Sequence, residues 1–374
     1  MADIFFCMEN ATAFQNKRYN GNKWGILRSF KGYLLPFSLL VFAGLMLAFP
    51  SHYLDSATKG LAVFSSSVLP AIFPFVFISN LMAKTSIIED ISRAFERPVK
   101  RLFGASKSGA FVLFSSLICG YPVGSATIKQ LYTAGVISDE EAKSYIPFSS
   151  TASPIFLLAT VGGALFENVA VGGLILLSHY VATLLNGVLW GIVAKHRQRH
   201  GSCAGDGNTP FVGAKTQNLS SCECAHYARA SATSVRINNK ENIVGDAMMS
   251  ATSSMLAVGG YIVLFGLVVD TFHLIPNFGL LPPEVKSVLS ALIEMSRGIA
   301  EARMVSVKWL SVALATFSVT FGGMSVNLQN YHYLNGCNCS LKDVILPKIS
   351  QGILGFFVAI IFSLIFFNIF GIKG

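Results

Sequence analysis

The sequence predicts an all-α polytopic membrane protein with two related, inverted repeats that contain broken or re-entrant helices. Composition is the first observation: 52% of the 374 residues are apolar and 13% are charged, against about 25% charged in soluble domains. Mean hydropathy is +0.57. The second observation is that glycine and proline interrupt apolar segments of membrane-spanning length. The third is that landmarks of the first half recur in order in the second.

Alternating polar and apolar stretches predict the domain organisation. Residues 1–33 are expected to be a cytoplasmic tail, because they are too long and too charged for a cleaved signal peptide. Residues 34–194 form the first membrane half and residues 243–374 the second. Between them, residues 195–242 are rich in glycine, serine, asparagine and charge, which predicts a flexible cytoplasmic linker.

The first half is expected to open with a span from Tyr33 to Phe49 and an outer loop from His52 to Lys59. The next apolar run, Leu61 to Met82, contains Pro70 and Pro74. Each proline removes a backbone donor and clashes with the preceding turn, so we expect a kink or a hairpin tip there. An ordinary proline-kinked span is the alternative.

The strongest interruption is Cys119-Gly120-Tyr121-Pro122-Val123-Gly124, where two glycines and a proline stand in an apolar segment. Its backbone must expose groups that need protein or water as partners. A polar connector, Lys129 to Tyr145, follows, and Ser138 is predicted to cap a short helix with acidic first-turn residues. The second interruption is Ser149-Ser150-Thr151-Ala152-Ser153-Pro154.

Charge distribution predicts that one of these interrupted segments is re-entrant. The basic stretches Lys84 to Lys107 and Lys195 to Lys240 should both be cytoplasmic. Three apolar segments lie between them: Ser108 to Ile128, Ile146 to Phe166, and Val169 to Val193. Three full crossings would put the basic stretches on opposite sides, so one segment should enter and leave on the same side.

The second half repeats short motifs that stand beside interruptions. The pairs are Ser66-Ser67-Val68-Leu69 with Ser253-Ser254-Met255-Leu256, Leu117-Ile118 and Gly124 with Leu292-Ile293 and Gly298, and Phe148-Ser149-Ser150 with Phe321-Gly322-Gly323. In the first pair, Gly259-Gly260 is expected to break the helix as the prolines do in the first half. Paired breaks of this kind indicate a solute site near the midplane of the membrane.

Glu294 and Arg297 give the strongest chemical signal of the second half. A carboxylate and a guanidinium in an apolar context are costly unless paired or hydrated, and residues three apart on a helix face one another. We therefore expect both to bind solute. The alternative is an interfacial amphipathic helix that also includes Glu301 and Arg303.

The candidate substrate-binding residues all lie in or beside an interruption. They are Gly120, Tyr121, Pro122, Gly124, Ser149, Ser150, Thr151, Ser153, Pro154, Glu294, Ser296, Arg297, Gly322, Gly323, Ser325, Asn327 and Gln329. The hydroxyl and amide groups among them suit a neutral polar ligand, and the small residues also suit close helix packing.

Other functional classes find little support. The sequence lacks Gly-x-Ser-x-Gly, His-Glu-x-x-His and a phosphate-binding loop, so no enzyme and no cofactor are predicted. His179 on an apolar segment is expected to be packed or interfacial rather than catalytic. Cys222-Glu223-Cys224-Ala225-His226 lacks a second ligand pair, so no metal site is predicted. The net charge of +9 comes from basic residues in loops beside apolar segments. We assign these residues to the cytoplasmic membrane surface and not to nucleic-acid binding.

Four motifs carry a family resemblance: Leu69-Pro70-x-x-x-Pro74-Phe75, Cys119 to Gly124, Phe148 to Pro154, and Phe321-Gly322-Gly323-Met324-Ser325-Val326. With them the chain resembles the YlbJ group of sporulation integral membrane proteins, which belongs with the nucleoside-recognition, or Gate, domain proteins. The resemblance implies a multi-pass protein of the bacterial inner membrane, needed for resistant spores. It also implies a core distantly similar to concentrative nucleoside transporters.

Two functions follow from these observations and stay open at the level of sequence. The first is a transporter of a small polar, nucleoside-like solute. The alternative is a non-transporting membrane scaffold for assembly of the spore cortex and coat. The expected partners are the lipid bilayer and the solute, without nucleic acid; a coupling ion, proton or sodium, and a homo-oligomer are left open.

Overall fold

The computed structural model describes residues 25–83, 87–201 and 243–369. Every regular element within these ranges is helical. In chain order the α-helices are α1 (Gly25–Ala48), α2 (Pro50–Val63), α3 (Leu69–Ala83), α4 (Ile87–Phe103), α5 (Lys107–Cys119), α6 (Val123–Thr133), α7 (Asp139–Tyr145), α8 (Val169–Gly201), α9 (Ile243–Thr271), α10 (Pro283–Ile293), α11 (Met295–Arg303), α12 (Lys308–Phe321), α13 (Gly323–Tyr333) and α14 (Leu341–Ile369). Phe64–Val68 and Phe156–Leu165 are π-helical.

The chain divides into two compact units, Met1–Asp55 and Ser56–Gly374. In the first, the rings of Phe42 and Tyr53 pack edge to face. The second contains every predicted site residue.

Several helices in the described part of the chain are long and apolar enough to cross a membrane: 4, or up to 6 if each of two bent helix pairs is one span. The spans in α9 and α14 have only 28% of their most apolar window buried, so most of their surface is left to lipid. The span formed by α12 and α13 is 78% buried and therefore lies at the centre of the bundle. The prediction of an all-α, multi-pass membrane protein is confirmed.

Helix α4 has the features of a helix that lies along a membrane surface. Its second part, Arg93–Phe103, meets Lys107–Cys119 at 101°. Val99 and Phe103 are buried, whereas Arg97 and Lys100 are exposed. This part of α4 is therefore amphipathic: Val99 and Phe103 pack on the bundle, and Arg97 and Lys100 face outward.

Three expectations for local structure are wrong. The stretch His52 to Lys59 is not a loop, because Pro50 begins α2 at a position where a helix tolerates proline. For the run Leu61 to Met82 the hairpin tip is wrong, because the chain stays helical through Pro70 and Pro74, with Phe64–Val68 as π-helix. This continuous winding is compatible with the alternative of an ordinary proline-containing helix.

The third wrong expectation is the break at Gly259-Gly260, which lies inside the continuous helix α9. A Cβ atom on Gly259 would be 2.8 Å from the Phe64 ring. Here glycine serves close packing between helices rather than an interruption of one.

The polar connector forms as predicted. Ser138 caps α7, with its hydroxyl accepting from the Glu141 amide at 3.3 Å and the Glu141 carboxylate accepting from the Ser138 amide at 3.1 Å. The Asn338 side chain and the Tyr132 hydroxyl donate to Asp139 and hold the pKa of that carboxyl below its usual value. Helix α8 extends to Gly201, and the rest of the predicted linker lies outside the described residues, as does most of the predicted tail.

Candidate solute site at the backbone breaks

The first predicted interruption is a break between α5 and α6. Gly120 has φ +81°, a conformation that favours glycine, and its Cβ would lie 2.8 Å from the Ser153 amide nitrogen. On Gly124 a Cβ atom would be 1.9 Å from the Ser149 carbonyl oxygen and 2.8 Å from the Ser116 side chain. Glycine is therefore required for α6 to pack back against α5, and the two helices form a hairpin.

The second hairpin is α10 and α11, with Glu294 at its tip in an extended conformation. The Ser287 hydroxyl on α10 donates to the Gly298 carbonyl on α11 at 2.9 Å. A Cβ atom on Gly298 would lie 2.5 Å from the Ala291 side chain. As in the first hairpin, a glycine after the tip lets the two helices approach closely.

The expected side-chain pair of Glu294 and Arg297 is wrong. Because α11 begins only at Met295, Glu294 is its N-cap and its carboxylate accepts from the Arg297 backbone amide at 2.9 Å. The Arg297 guanidinium instead pairs with Asp270 on α9 at 2.8 Å. Asp270 also accepts from the Ser56 hydroxyl. Asp270 was not predicted as a partner of Arg297, although its position as an acidic residue at the end of an apolar run could have indicated it.

The interruption after Phe148 is a non-helical segment, residues 150–153, buried in the bundle. The Tyr121 amide at the first hairpin tip donates to the Thr151 carbonyl at 2.6 Å. Ser116 and Thr151 exchange side-chain and backbone hydrogen bonds of 2.6 to 3.1 Å. On the other side, the Ala152 amide donates to His179 Nε2 at 2.9 Å. His179 is buried and packed, which agrees with one of the two expectations for it.

A matching break separates α12 from α13 at Gly322, which has φ +79°. A Cβ atom on Gly323 would be 2.9 Å from the Ile293 carbonyl oxygen at the end of α10. The Asn327 amide group donates to the carbonyls of Phe321 and Gly323 at 3.2 and 2.7 Å. The second hairpin tip thus packs on this break, as the first tip packs on residues 150–153.

The two hairpin tips meet. The Tyr121 hydroxyl contacts Met295 Sδ at 2.7 Å, and beside this contact lies a cavity of about 50 Å³. The predicted site residues that line this cavity are Gly120, Tyr121, Ser153, Glu294, Ser296, Ser325 and Gln329. Met255 and Tyr261 on α9 also line it, and neither was among the predicted site residues.

The remaining predicted site residues do not line the cavity. They shape or brace the breaks around it, and they are Pro122, Gly124, Ser149, Ser150, Thr151, Pro154, Arg297, Gly322, Gly323 and Asn327. Pro154 is partly buried directly after residues 150–153, and Pro122 precedes α6. The sequence therefore predicted where these backbone breaks lie. It did not distinguish the residues that line the cavity from those that only support the breaks.

Glu294 dominates the chemistry of the cavity. It is 2% exposed, and its two donors, the Arg297 amide and the Ser296 hydroxyl, both bind Oε2. The other carboxylate oxygen can accept from an N–H or O–H group of a ligand, while Ser325 and Gln329 offer neutral polar groups. No group of three or more potential metal ligands occurs among the described residues, and the Cys222 to His226 motif lies outside them.

Cavity size limits what fits in this conformation. A volume of about 50 Å³ holds a few water molecules. Sites for drug-sized ligands measure roughly 300 to 1,000 Å³. A solute as large as a nucleoside therefore needs a wider cavity than this conformation provides.

Comparison with known proteins agrees with this architecture. Residues 65–167 match the family model described as Gate, nucleoside recognition, a range that includes the first hairpin and residues 150–153. The chain is thus a multi-pass helical membrane protein, and its residues 65–167 are similar to the Gate family. Over 323 residues it is 24% identical to the sporulation integral membrane protein YlbJ of Bacillus subtilis (strain 168), covering 82% of this chain and 77% of that protein. The resemblance expected from the motifs is confirmed. No solved structure matches the chain.

Proposed function

We propose that this protein transports a small polar solute of the nucleoside-like class, bound between the two hairpin tips. The observation that carries the proposal is the contact of Tyr121 with Met295 beside a cavity that contains the Glu294 carboxylate. Irregular backbone at membrane depth is tolerated where it lines a cavity, and transporter sites are built from discontinuous helices of this kind. The description of the Gate family supports a nucleoside-like solute.

We further propose that the halves form an inverted repeat, distantly similar to concentrative nucleoside transporters. Each half has a helical hairpin, then a discontinuous helical stretch, then a long helix, α8 or α14. The loop after the first hairpin meets the loop after α13, where Asp139 accepts from Asn338 at 2.7 Å. The loop that precedes α8 meets the end of the second hairpin, where Glu167 accepts from Arg303 at 2.7 Å. Such crosswise contacts support a two-fold axis in the membrane plane.

The relative from Bacillus subtilis is named a sporulation integral membrane protein, which supports a place for this transport in sporulation. We propose that the protein acts in the bacterial cell membrane during formation of resistant spores. A scaffold for the spore envelope remains the alternative function, and the backbone breaks would then serve only helix packing.

Uptake into proteoliposomes tests the proposal. We expect vesicles that contain the purified protein to accumulate at least one solute from a panel of radiolabelled nucleosides and small polar metabolites, above empty vesicles. Unlabelled solute should compete, because the cavity is a saturable site. If no panel member is taken up or bound, and the protein is shown to be folded, the scaffold function is favoured instead.

Membrane sidedness gives a separate prediction about the first hairpin. If α5 and α6 enter and leave on the same side, Lys100 and the linker residue Asn218 are both cytoplasmic. Single cysteines at these positions, in a background without the seven native cysteines, should react with an impermeant maleimide from the same side. Labelling from opposite sides would show that the segment crosses the membrane.

A further inference from the structure

Lys348 is a lysine buried among the helices of the bundle. It lies on α14 and is 1% exposed. Its Nζ donates to the Ser150 carbonyl oxygen at 2.9 Å and to Gln351 Oε1 at 3.0 Å. Ser150 belongs to the non-helical stretch 150–153, so the lysine reaches directly into the broken backbone of the first half.

The groups that hydrogen-bond with Lys348 and its partners among the described residues are neutral amides, hydroxyls and carbonyls. Gln351 is oriented by its donation to the Thr183 hydroxyl at 2.7 Å, and Ser150 Oγ accepts from Asn330 at 2.7 Å. His179 on α8 is the ionisable neighbour. In the part of the chain that the structure describes, no ion pair joins Lys348 to a carboxylate. An intramembrane ionisable residue without a counter-ion calls for a functional explanation.

The main-chain carbonyls in and just before residues 150–153 supply that explanation, because each accepts a hydrogen bond from a group elsewhere in the bundle. Pro147 O accepts from Asn186 at 3.0 Å, Thr151 O accepts from the Tyr121 amide at 2.6 Å, and Ser150 O accepts from Lys348. In transporters with discontinuous helices, unwound carbonyls commonly hold a sodium ion or a proton. Here a carbonyl and an amide oxygen of this kind are already bound to a positively charged group of the protein.

We propose that the Lys348 ammonium is a resident cation that takes the place of a bound sodium ion at residues 150–153, so that the protein works without sodium. This deepens the proposed function, on which its meaning for solute transport rests. The binding claim itself concerns Lys348 and two oxygen atoms and is measurable without any solute. Removal of the ammonium leaves those two oxygens without this donor, and we expect a small monovalent cation to bind them.

Thermal unfolding of the purified full chain tests this in sodium chloride and in choline chloride at equal ionic strength. The melting temperature, Tm, of the wild type should be the same in both salts. For Lys348→Ala we expect a lower Tm in choline chloride and a recovery of about 3 °C or more in sodium chloride, because sodium fills the vacated position. Lys342→Ala, on the exposed face of α14, is the matched control and should show no sodium response.

Two outcomes of this experiment overturn the proposal: a sodium-specific rise of Tm in the wild type, and a folded Lys348→Ala variant that sodium does not stabilise. If Lys348→Ala does not fold, the test is made with Lys348→Met, because methionine keeps a similar side-chain length and removes the charge. Its Tm should be below that of the wild type in both salts, and equal or higher stability would contradict the proposed role. Failure of solute uptake alone would count against the transporter and leave these results unaffected.

Discussion

Replacement of Glu294 by glutamine is expected to lower solute uptake by about 10- to 100-fold while the protein stays folded. Glutamine retains one oxygen that can accept from the Arg297 amide and the Ser296 hydroxyl, so the cap of α11 persists. The atom presented to the cavity becomes an amide nitrogen, which donates where the carboxylate oxygen accepted. A ligand donor at this position then loses its charge-assisted hydrogen bond.

The measurement is initial uptake rate in proteoliposomes with matched protein content, for the solute identified by the panel. Glu301→Gln is the control: this carboxylate lies on α11 outside the cavity, 4.0 Å from Lys286, and its variant should transport like the wild type. Unchanged uptake by Glu294→Gln would show that the Glu294 carboxylate does not bind the solute. Loss of uptake together with loss of Tm would assign Glu294 to the stability of the hairpin instead.

Gly124→Ala should produce the largest loss of stability among the single substitutions considered. The added methyl group would lie 1.9 Å from the Ser149 carbonyl oxygen, and that backbone is fixed by its neighbours in residues 150–153. Relief requires the first hairpin to open or the broken segment to shift. We expect a cost of about 3 kcal/mol and a fall in Tm of roughly 5 °C or more.

Gly260→Ala is the matched control, because nothing lies within 4 Å of its Cβ position and it stands inside helix α9. Alanine is favoured over glycine in a helix by about 0.5 to 1 kcal/mol, so this variant should be at least as stable as the wild type. The stability of both variants is compared with that of the wild type by Tm and by the monodisperse fraction in size-exclusion chromatography. Wild-type stability of Gly124→Ala would contradict the tight packing of α6 on residues 149–153.

The position and nature of the main-chain breaks were readable from local sequence. Gly120 with Pro122, and Gly322 with Gly323, disfavour a continuous α-helix, and both Gly120 and Gly322 adopt a positive φ at the breaks. The capping box at Ser138 is equally local, because its partners lie three residues apart. The sequence-based predictions were wrong where one residue type has two structural uses: proline can interrupt a helix or stay within it, and glycine can interrupt a helix or allow close packing. Pro70 and Pro74 lie within helix α3, directly after the π-helical Phe64–Val68, and Gly259 packs against Phe64.

The sequence by itself determined that this is a helical membrane protein with interrupted helices, since composition and backbone chemistry suffice for both conclusions. Only the tertiary structure decided which groups meet. It paired Arg297 with Asp270 rather than with Glu294, brought Tyr121 to Met295, and buried Lys348 against residues 150–153. Such partners lie up to 198 positions apart in the chain, and their proximity depends on how whole helices pack. Apolar helices of similar composition give no local signal for that choice.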